Sequence, residues 1–275
     1  MLANFRELLD AAQAGHYAVG AYDLIDMEML YGILDAAEQT DTPVILQYAQ
    51  VFEPTVDISR FARLLVAAAE AARVPVAVHL DHGQDLETVK KCVELGFGSV
   101  MIDASSRPFE ENVALTRQVV EYCRPLGVPV EAELGHVGEA AQYDLSNYHY
   151  TDPGLAAQFV ERTGIDALAV AIGNAHGAYS STPQINFEVL AAVRGAVSVP
   201  LVLHGASGIP DEDIRRAVEG GITKINIFTE LTQQAAVELS ACAADGYNIF
   251  SVSKAIRTGT RDRCLQKIRL FGTRR

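Results

Sequence analysis

Residues 74–102 read VPVAVHLDHGQDLETVKKCVELGFGSVMI. A proline opens an apolar run at 76–80, and proline at a strand's first position needs no ladder donor. The run is continuously apolar rather than alternating, which fits a strand covered on both faces, as in a parallel sheet. A polar turn follows at Asp81, His82 and Gly83, then a helical pattern over 86–95. Gly96 is a helix C-terminal signal, and a second apolar run occupies 99–102. The stretch is one strand–helix–strand unit.

The unit recurs along the chain. Apolar runs rich in Val, Ile and Leu stand at 18–24, 44–49, 76–80, 99–102, 128–134, 167–172, 200–203 and 224–228. The same proline signal follows Thr42, Val74, Val128 and Val199. Helices are expected at 26–39, 58–72, 86–95, 110–126, 152–163, 187–194 and 211–220. Eight strand–helix repeats predict an α/β fold of the (β/α)8 TIM-barrel type. An open doubly wound sheet fits less well, because it ordinarily carries a glycine-rich turn after its first strand. Here that strand ends in Ala21-Tyr22-Asp23. No linker or low-complexity block interrupts 1–275, a length one barrel fills, so a single domain is expected.

Charge and composition narrow the function. Lys and Arg number 22 against 35 Asp and Glu, a net charge of −13, which argues against a nucleic-acid partner. A small anionic substrate remains admissible, because a local site can oppose the global charge. The N-terminus lacks a basic start before a long apolar run, and the apolar runs are strand-sized, so neither a signal peptide nor a membrane span is expected. Cys92, Cys123, Cys242 and Cys264 form no CxxC pair and read as reduced thiols of a cytoplasmic protein.

In such a barrel the chemistry sits at the C-terminal strand ends. His82, His176 and His204 stand at the ends of the third, sixth and seventh strands, each next to or close to a glycine. Three neutral imidazoles on one open site suit Zn2+ with a free position for substrate. His16, His136 and His149 lie away from these ends, and His79 reads as a packed residue behind them. Asp81, beside His82, is placed for proton transfer. Asp103 reads either as a partner orienting a histidine or as a helix cap. Glu131 and Glu133 share one side of the fifth strand, Glu131 being deeper and the weaker candidate. Glycine-rich turns after strands seven and eight, with Ser207 and Thr229, suit a phosphate.

The motifs LDHG (80–83), VEAELG (130–135), YTDP (150–153), AVAIGNAHG (169–177), LHGASG (203–208) and GITKINIFTE (221–230) resemble those of the class II, zinc-dependent ketose-bisphosphate aldolases. The similarity is greatest to the tagatose- and fructose-bisphosphate branch and runs from about residue 4 to 232, recurring at IRLFG (268–272). The resemblance implies a catalytic zinc on His82, His176 and His204, with Glu133 near the metal. It implies Asp81 as the proton carrier at the C4 oxygen. It implies Gly177, Gly205, Ser207, Asn226 and Thr229 around the C1 phosphate, with Ala206, Phe228 and Asp23 lining the same substrate pocket. Backbone groups of Gly177 and Ser207 would line a monovalent cation site (Na+ or K+). The family's enolising glutamate sits on the loop after strand five, where Glu139 is the candidate here. A phosphorylated sugar substrate and a homodimer or homotetramer are further implications.

The chain departs from the family at several positions. Asp23 stands where relatives have Asn, a negative charge that disfavours phosphate or selects a different polyol. Gln47-Tyr48-Ala49-Gln50 is bulkier than usual at the end of strand two. Asn174 replaces a usual Thr, and Ala178 a larger apolar residue. Arg257, Arg261 and Arg263 lie in a tail unlike the family's, where relatives place a basic residue for the second phosphate. Two rival readings stay open: a metal-dependent phosphosugar isomerase or epimerase, and a non-catalytic subunit of an aldolase complex.

Overall fold

The structure, a computed structural model, describes residues 1–142, 148–179, 181–243, 246 and 248–275. Eight strands form a closed parallel barrel in sequence order: β1 (Val19–Asp23), β2 (Val44–Ala49), β3 (Val76–Gly83), β4 (Ser99–Ile102), β5 (Val130–Leu134), β6 (Ala167–Val170), β7 (Leu201–Leu203) and β8 (Ile222–Ile227). Pairing of β1 with β8 closes the ring, with Ala21 opposite Asn226. The expected barrel is therefore the observed one.

Around it run α1 (Phe5–Gly15), α2 (Met27–Thr40), α3 (Ile58–Ala71), α4 (Leu86–Glu94), α5 (Phe109–Cys123), α6 (Pro153–Thr163), α7 (Phe187–Ala196), α8 (Asp211–Glu219), α9 (Thr229–Ala243) and α10 (Ile249–Phe271). Acidic N-caps set several starts: Asp26 accepts from the Met29 N–H at 2.7 Å, Asp85 from Thr88 at 2.8 Å, and Asp152 from Leu155 at 2.8 Å.

The apolar core has two parts. The larger fills the shell between strands and helices. The smaller lies inside the barrel, where Val19, Ala21, Ile45, Ala77, Met101, Ala167, Ala169 and Val202 meet Phe5, Leu9 and Ala12 of α1. Helix α1, absent from the expected helices, thus closes one end of the barrel. Burying Phe5 and Leu9 contributes about 1.5–3 kcal/mol each. Their inward alternation also defines which strand residues face the axis: Ala21 then Asp23 on β1, Ile45 then Gln47 on β2.

Helix α10 packs on α2 and α9. The α2 backbone comes close at Gly32, where a Cβ would stand 2.7 Å from the Arg257 carbonyl oxygen. Among the described residues, no helix is long and apolar enough to cross a membrane.

Candidate metal centre and active site

Strict alternation along β3 sends Asp81 inward and His82 outward. The backbone breaks this rule at His82, whose φ is +44°, in the left-handed region that side chains other than glycine's rarely adopt. The β3–β4 register shifts between Leu80 and Gly83. The irregularity turns His82 back over the barrel mouth, a common use of a bulge beside a site. Asp81 and His82 thus both reach one centre, with Asp81 Oδ2 3.8 Å from His82 Nε2.

The three histidines meet there. His82 Nε2 lies 3.2 Å from His176 Nε2 and 3.0 Å from His204 Nδ1. The opposite nitrogen of each ring faces a group that can only accept. His82 Nδ1 meets Asp103 Oδ2 at 2.8 Å, His176 Nδ1 meets the Val137 carbonyl at 3.1 Å, and His204 Nε2 meets Glu131 Oε1 at 2.8 Å. Each of those nitrogens therefore carries the N–H and donates. The three nitrogens that converge are left with bare lone pairs. Three facing lone pairs repel unless a cation or a proton stands among them. The donor set, three neutral imidazoles held by outer carboxylates and a carbonyl, fits Zn2+. His82, His176 and His204 are one of two groups of potential ligands here; His82, Asp103 and Glu133 are the other.

The local field draws a positive charge to this centre, which without a metal is a proton on His82. Burial opposes charge on His82, but Asp81 and the hydrogen bond to Asp103 outweigh it and raise the ring to about 10. Burial and the nearby His82 lower His176 to about 4 and His204 well below its ordinary value. Burial likewise pushes Asp103 up, yet its hydrogen bond to His82 holds it well below the carboxylate range. Asp103 also accepts from the Ser105 N–H at 3.0 Å, but α5 begins after Pro108, so Asp103 caps no helix and is the orienting partner of His82. Burial and Asp103 raise Glu133 to about 8. Glu133 accepts the Val137 N–H at 3.0 Å and stands 3.5 Å from His204 Nδ1.

Asp81 is held by β8: Asn226 Nδ2 donates to Asp81 Oδ1 at 2.9 Å. Asp23 tops β1, where it accepts from Gln47 Nε2 at 3.4 Å. The segment after β5 lies along the His176 segment, with Ala140 N–H donating to the His176 carbonyl at 2.6 Å and His176 N–H to Gly138 at 2.8 Å. This sets Glu139 Oε2 3.6 Å from where a Cβ on Gly177 would stand. The rest of that segment, 143–147, lies outside the described residues.

A second feature adjoins the histidines. A cavity of about 460 Å3 opens between the loops after β6, β7 and β8, lined among others by Ala178, Ser207, Gly208 and Thr229. Thr229 begins α9, so the positive end of a 15-residue helix faces it. The Glu230 N–H donates to Ser207 Oγ at 3.3 Å, and the Gly208 N–H to Glu230 Oε1 at 2.9 Å, tying the two loops together. Gly205 has φ +58°, and a Cβ there would overlap the Ala175 carbonyl. The loops after β6 and β7 can approach so closely only with glycine at this point. Ala206 is buried, and Phe228 packs at a tilt against Phe52 with ring centroids 4.9 Å apart.

Several participants escaped sequence reasoning. Glu131, ranked low for its depth, both accepts from His204 and pairs with Lys224 at 2.9 Å, all three fully buried. His79 stacks on Phe5 at 4.7 Å and bonds Ser99 Oγ at 2.9 Å, a packed position as expected. Asn174 donates to the His204 carbonyl at 3.0 Å. Tyr179 accepts the Ala175 N–H and donates to the Gly205 carbonyl, bracing the glycine turn. The arginines of the tail are engaged by acids: Arg257 by Asp35 at 2.6 Å, Arg261 by Asp262 at 2.8 Å, and Arg263 by Glu230 at 3.3 Å.

Known proteins share this arrangement. Residues 3–275 match the family model described as fructose-bisphosphate aldolase class-II. The chain is 48% identical to YdjI of Escherichia coli K12, named an uncharacterised protein, over 99% of this chain and 98% of that one. The crystal structure of the YdjI aldolase superposes with a TM-score of 0.91 at 46% identity, covering 99% and 98% of the two chains. A Coccidioides immitis protein solved as a candidate fructose-1,6-bisphosphate aldolase gives 0.89 at 30% identity, over 98% and 96%. The chain therefore belongs to the class II fructose-bisphosphate aldolase family, whose members are carbon–carbon lyases.

Proposed function

We propose that the chain is a zinc-dependent aldolase that makes and breaks the C3–C4 bond of a ketose 1-phosphate or 1,6-bisphosphate of the fructose or tagatose type. The products of cleavage are dihydroxyacetone phosphate and an aldehyde. The observation that carries this reading is the convergence of three imidazole nitrogens, His82 Nε2 lying 3.2 Å from His176 Nε2 and 3.0 Å from His204 Nδ1, with an acceptor behind each ring. His82, His176 and His204, with Glu133, would hold zinc, which would supply Lewis-acid stabilisation of the negative charge left on the dihydroxyacetone phosphate half.

The chain's own residues do the rest. Asp81 takes the proton from the C4 hydroxyl during cleavage and returns it during condensation. Its bond from Asn226 leaves Oδ2 for that proton. Glu139 removes a proton from the hydroxymethyl carbon of dihydroxyacetone phosphate, which becomes C3 of the ketose, in condensation. Ser207, Thr229 and the backbone N–H groups of Gly177 and Gly205 hold the C1 phosphate against the N-terminus of α9. Lys224 is engaged by Glu131 inside the barrel, so its amine is not offered for a Schiff base.

The test is a coupled assay for dihydroxyacetone phosphate release from fructose and tagatose 1,6-bisphosphates and the matching 1-phosphates, with and without chelator. Chelator-sensitive release that zinc restores is expected. No release from any of the four with zinc present refutes the reading.

A further inference from the structure

We propose that Asp23 and Gln47 form a specificity subsite that takes hydroxyl groups of the substrate's aldehyde half and disfavours a second phosphate, so that the preferred substrate is a ketose 1-phosphate with an unphosphorylated, hydroxylated distal end. The inference rests on the aldolase reading above.

Position comes first. The phosphate cavity lies over β7 and β8, the histidines come from β3, β6 and β7, and Asp81 is bonded to Asn226 on β8. A substrate anchored at its C1 phosphate and reaching Asp81 with its C4 oxygen continues toward the ends of β1 and β2. The inward residues there are Asp23 and Gln47, a cross-strand pair in register.

Hydrogen bonding comes next. The Gln47 amide nitrogen faces Asp23, and the Asn226 amide nitrogen faces Asp81. Each amide oxygen is thereby turned away from its partner. Asp23 Oδ1, Gln47 Oε1 and Asn226 Oδ1 are all buried, with no hydrogen-bond partner among the described residues. Asp23 is 5% exposed and Gln47 fully buried. All three orphaned atoms are acceptors, and an unpaired buried acceptor is costly. A ligand that satisfies them must bring donors. Hydroxyl groups do so, whereas a phosphate dianion offers only acceptors.

Charge points the same way. Burial and the nearby Asp81 push the Asp23 carboxyl well above the carboxylate range, so the strand-1 end disfavours negative charge. Three cations of α10 are already paired: Arg257 with Asp35, Arg263 and Lys267 with Glu230. A distal phosphate therefore brings charge into a buried end that disfavours it, while a polyol meets three open acceptors.

The test is the condensation direction with zinc-loaded protein, dihydroxyacetone phosphate, and one of three aldehydes: glyceraldehyde, glyceraldehyde 3-phosphate or propanal. Wild type is expected to favour glyceraldehyde over both others in kcat/KM, by about tenfold or more. Asp23→Asn, nearly isosteric, should narrow the gap to glyceraldehyde 3-phosphate by about tenfold. Gln47→Met should narrow the gap to propanal and guards against a folding defect in the first variant; zinc content and melting temperature are checked in both. Wild-type preference for glyceraldehyde 3-phosphate, or ratios unmoved by both variants, overturns the subsite and leaves the aldolase standing. No condensation with any aldehyde overturns the aldolase reading, and the subsite with it.

Discussion

Lys224 and Glu131 offer a way to separate what the barrel interior does for stability from what it does for the metal site. Both are fully buried, at 2.9 Å from one another, and Glu131 also accepts from His204 Nε2 at 2.8 Å. Lys224→Met removes the cation and leaves the carboxylate buried against two imidazoles. Breaking a buried pair from one side costs about 3–5 kcal/mol. At about 2–4 °C per kcal/mol for a large domain, the melting temperature should fall by roughly 6–20 °C. Adding Glu131→Leu removes the orphaned charge, and replacing both partners by apolar groups is often near neutral. The double variant should therefore regain most of the lost stability. It should not regain zinc affinity, because His204 has lost the acceptor that fixes its tautomer. Removing such an outer partner typically costs about 10–100-fold in metal affinity. Melting is followed by circular dichroism on metal-free protein, so that metal binding does not add to apparent stability. Zinc affinity is read by competition with a chromophoric chelator. A double variant as unstable as Lys224→Met refutes the ion-pair account. A double variant with wild-type zinc affinity refutes Glu131 as the residue that orients His204.

His82→Ala removes one of the three converging nitrogens and should abolish both zinc retention and turnover; wild-type metal content, measured by elemental analysis, would remove it from the ligand set. Asp81→Asn should keep the metal but lower turnover by about 10²–10⁴ if it carries the C4 proton. Unchanged single-turnover rates would exclude that role. Gly205→Ala puts a Cβ onto the Ala175 carbonyl at a positive φ, so inorganic phosphate should bind less tightly even where the protein remains folded. Calorimetry showing unaltered phosphate binding would place the anion elsewhere.

The barrel was readable in the chain because parallel strands covered on both faces leave continuous apolar runs. Two of these, 44–49 and 99–102, coincide with β2 and β4. The helices outside the repeats were not readable, for different reasons. In α1 the buried Phe5, Leu9 and Ala12 lie among charged residues, so the segment reads as mixed. The face that α10 buries is built from Gly259, Thr260, Cys264 and Lys267 as much as from large apolar residues, and so shows no stripe. At the site, three strand-end histidines beside glycines were legible as a set. The twist that brings His82 round was not, because alternation alone turns it outward. Glu131 was undervalued for its depth, since its partners His204 and Lys224 lie on strands 73 and 93 residues away. Only closure of the ring makes them neighbours.

That closure also explains how such charged groups are tolerated inside the barrel. Along its axis the interior passes from Phe5 and Leu9 of α1, through Lys224, Glu131 and His79, to the three histidines and then to Asp23, Gln47 and Asn226. Polar satisfaction differs between the layers. In the middle layer Glu131 pairs with Lys224 and His204, while His79 rests flat on Phe5 and its Nε2 has no hydrogen-bond partner among the described residues. The histidine layer pairs its outer nitrogens and leaves its inner ones bare. The strand ends leave whole acceptors open. A buried polar group without a partner costs free energy, and the cost is retained where a ligand removes it. The open acceptors at the strand ends are therefore where a ligand's donors would gain most, and the Glu131–Lys224–His204 cluster is the frame behind them. On that reasoning α1 matters to the chemistry without touching it. It seals the barrel's far end, so that the Lys224–Glu131 pair stays dry and His204 keeps a single orientation toward the other two rings.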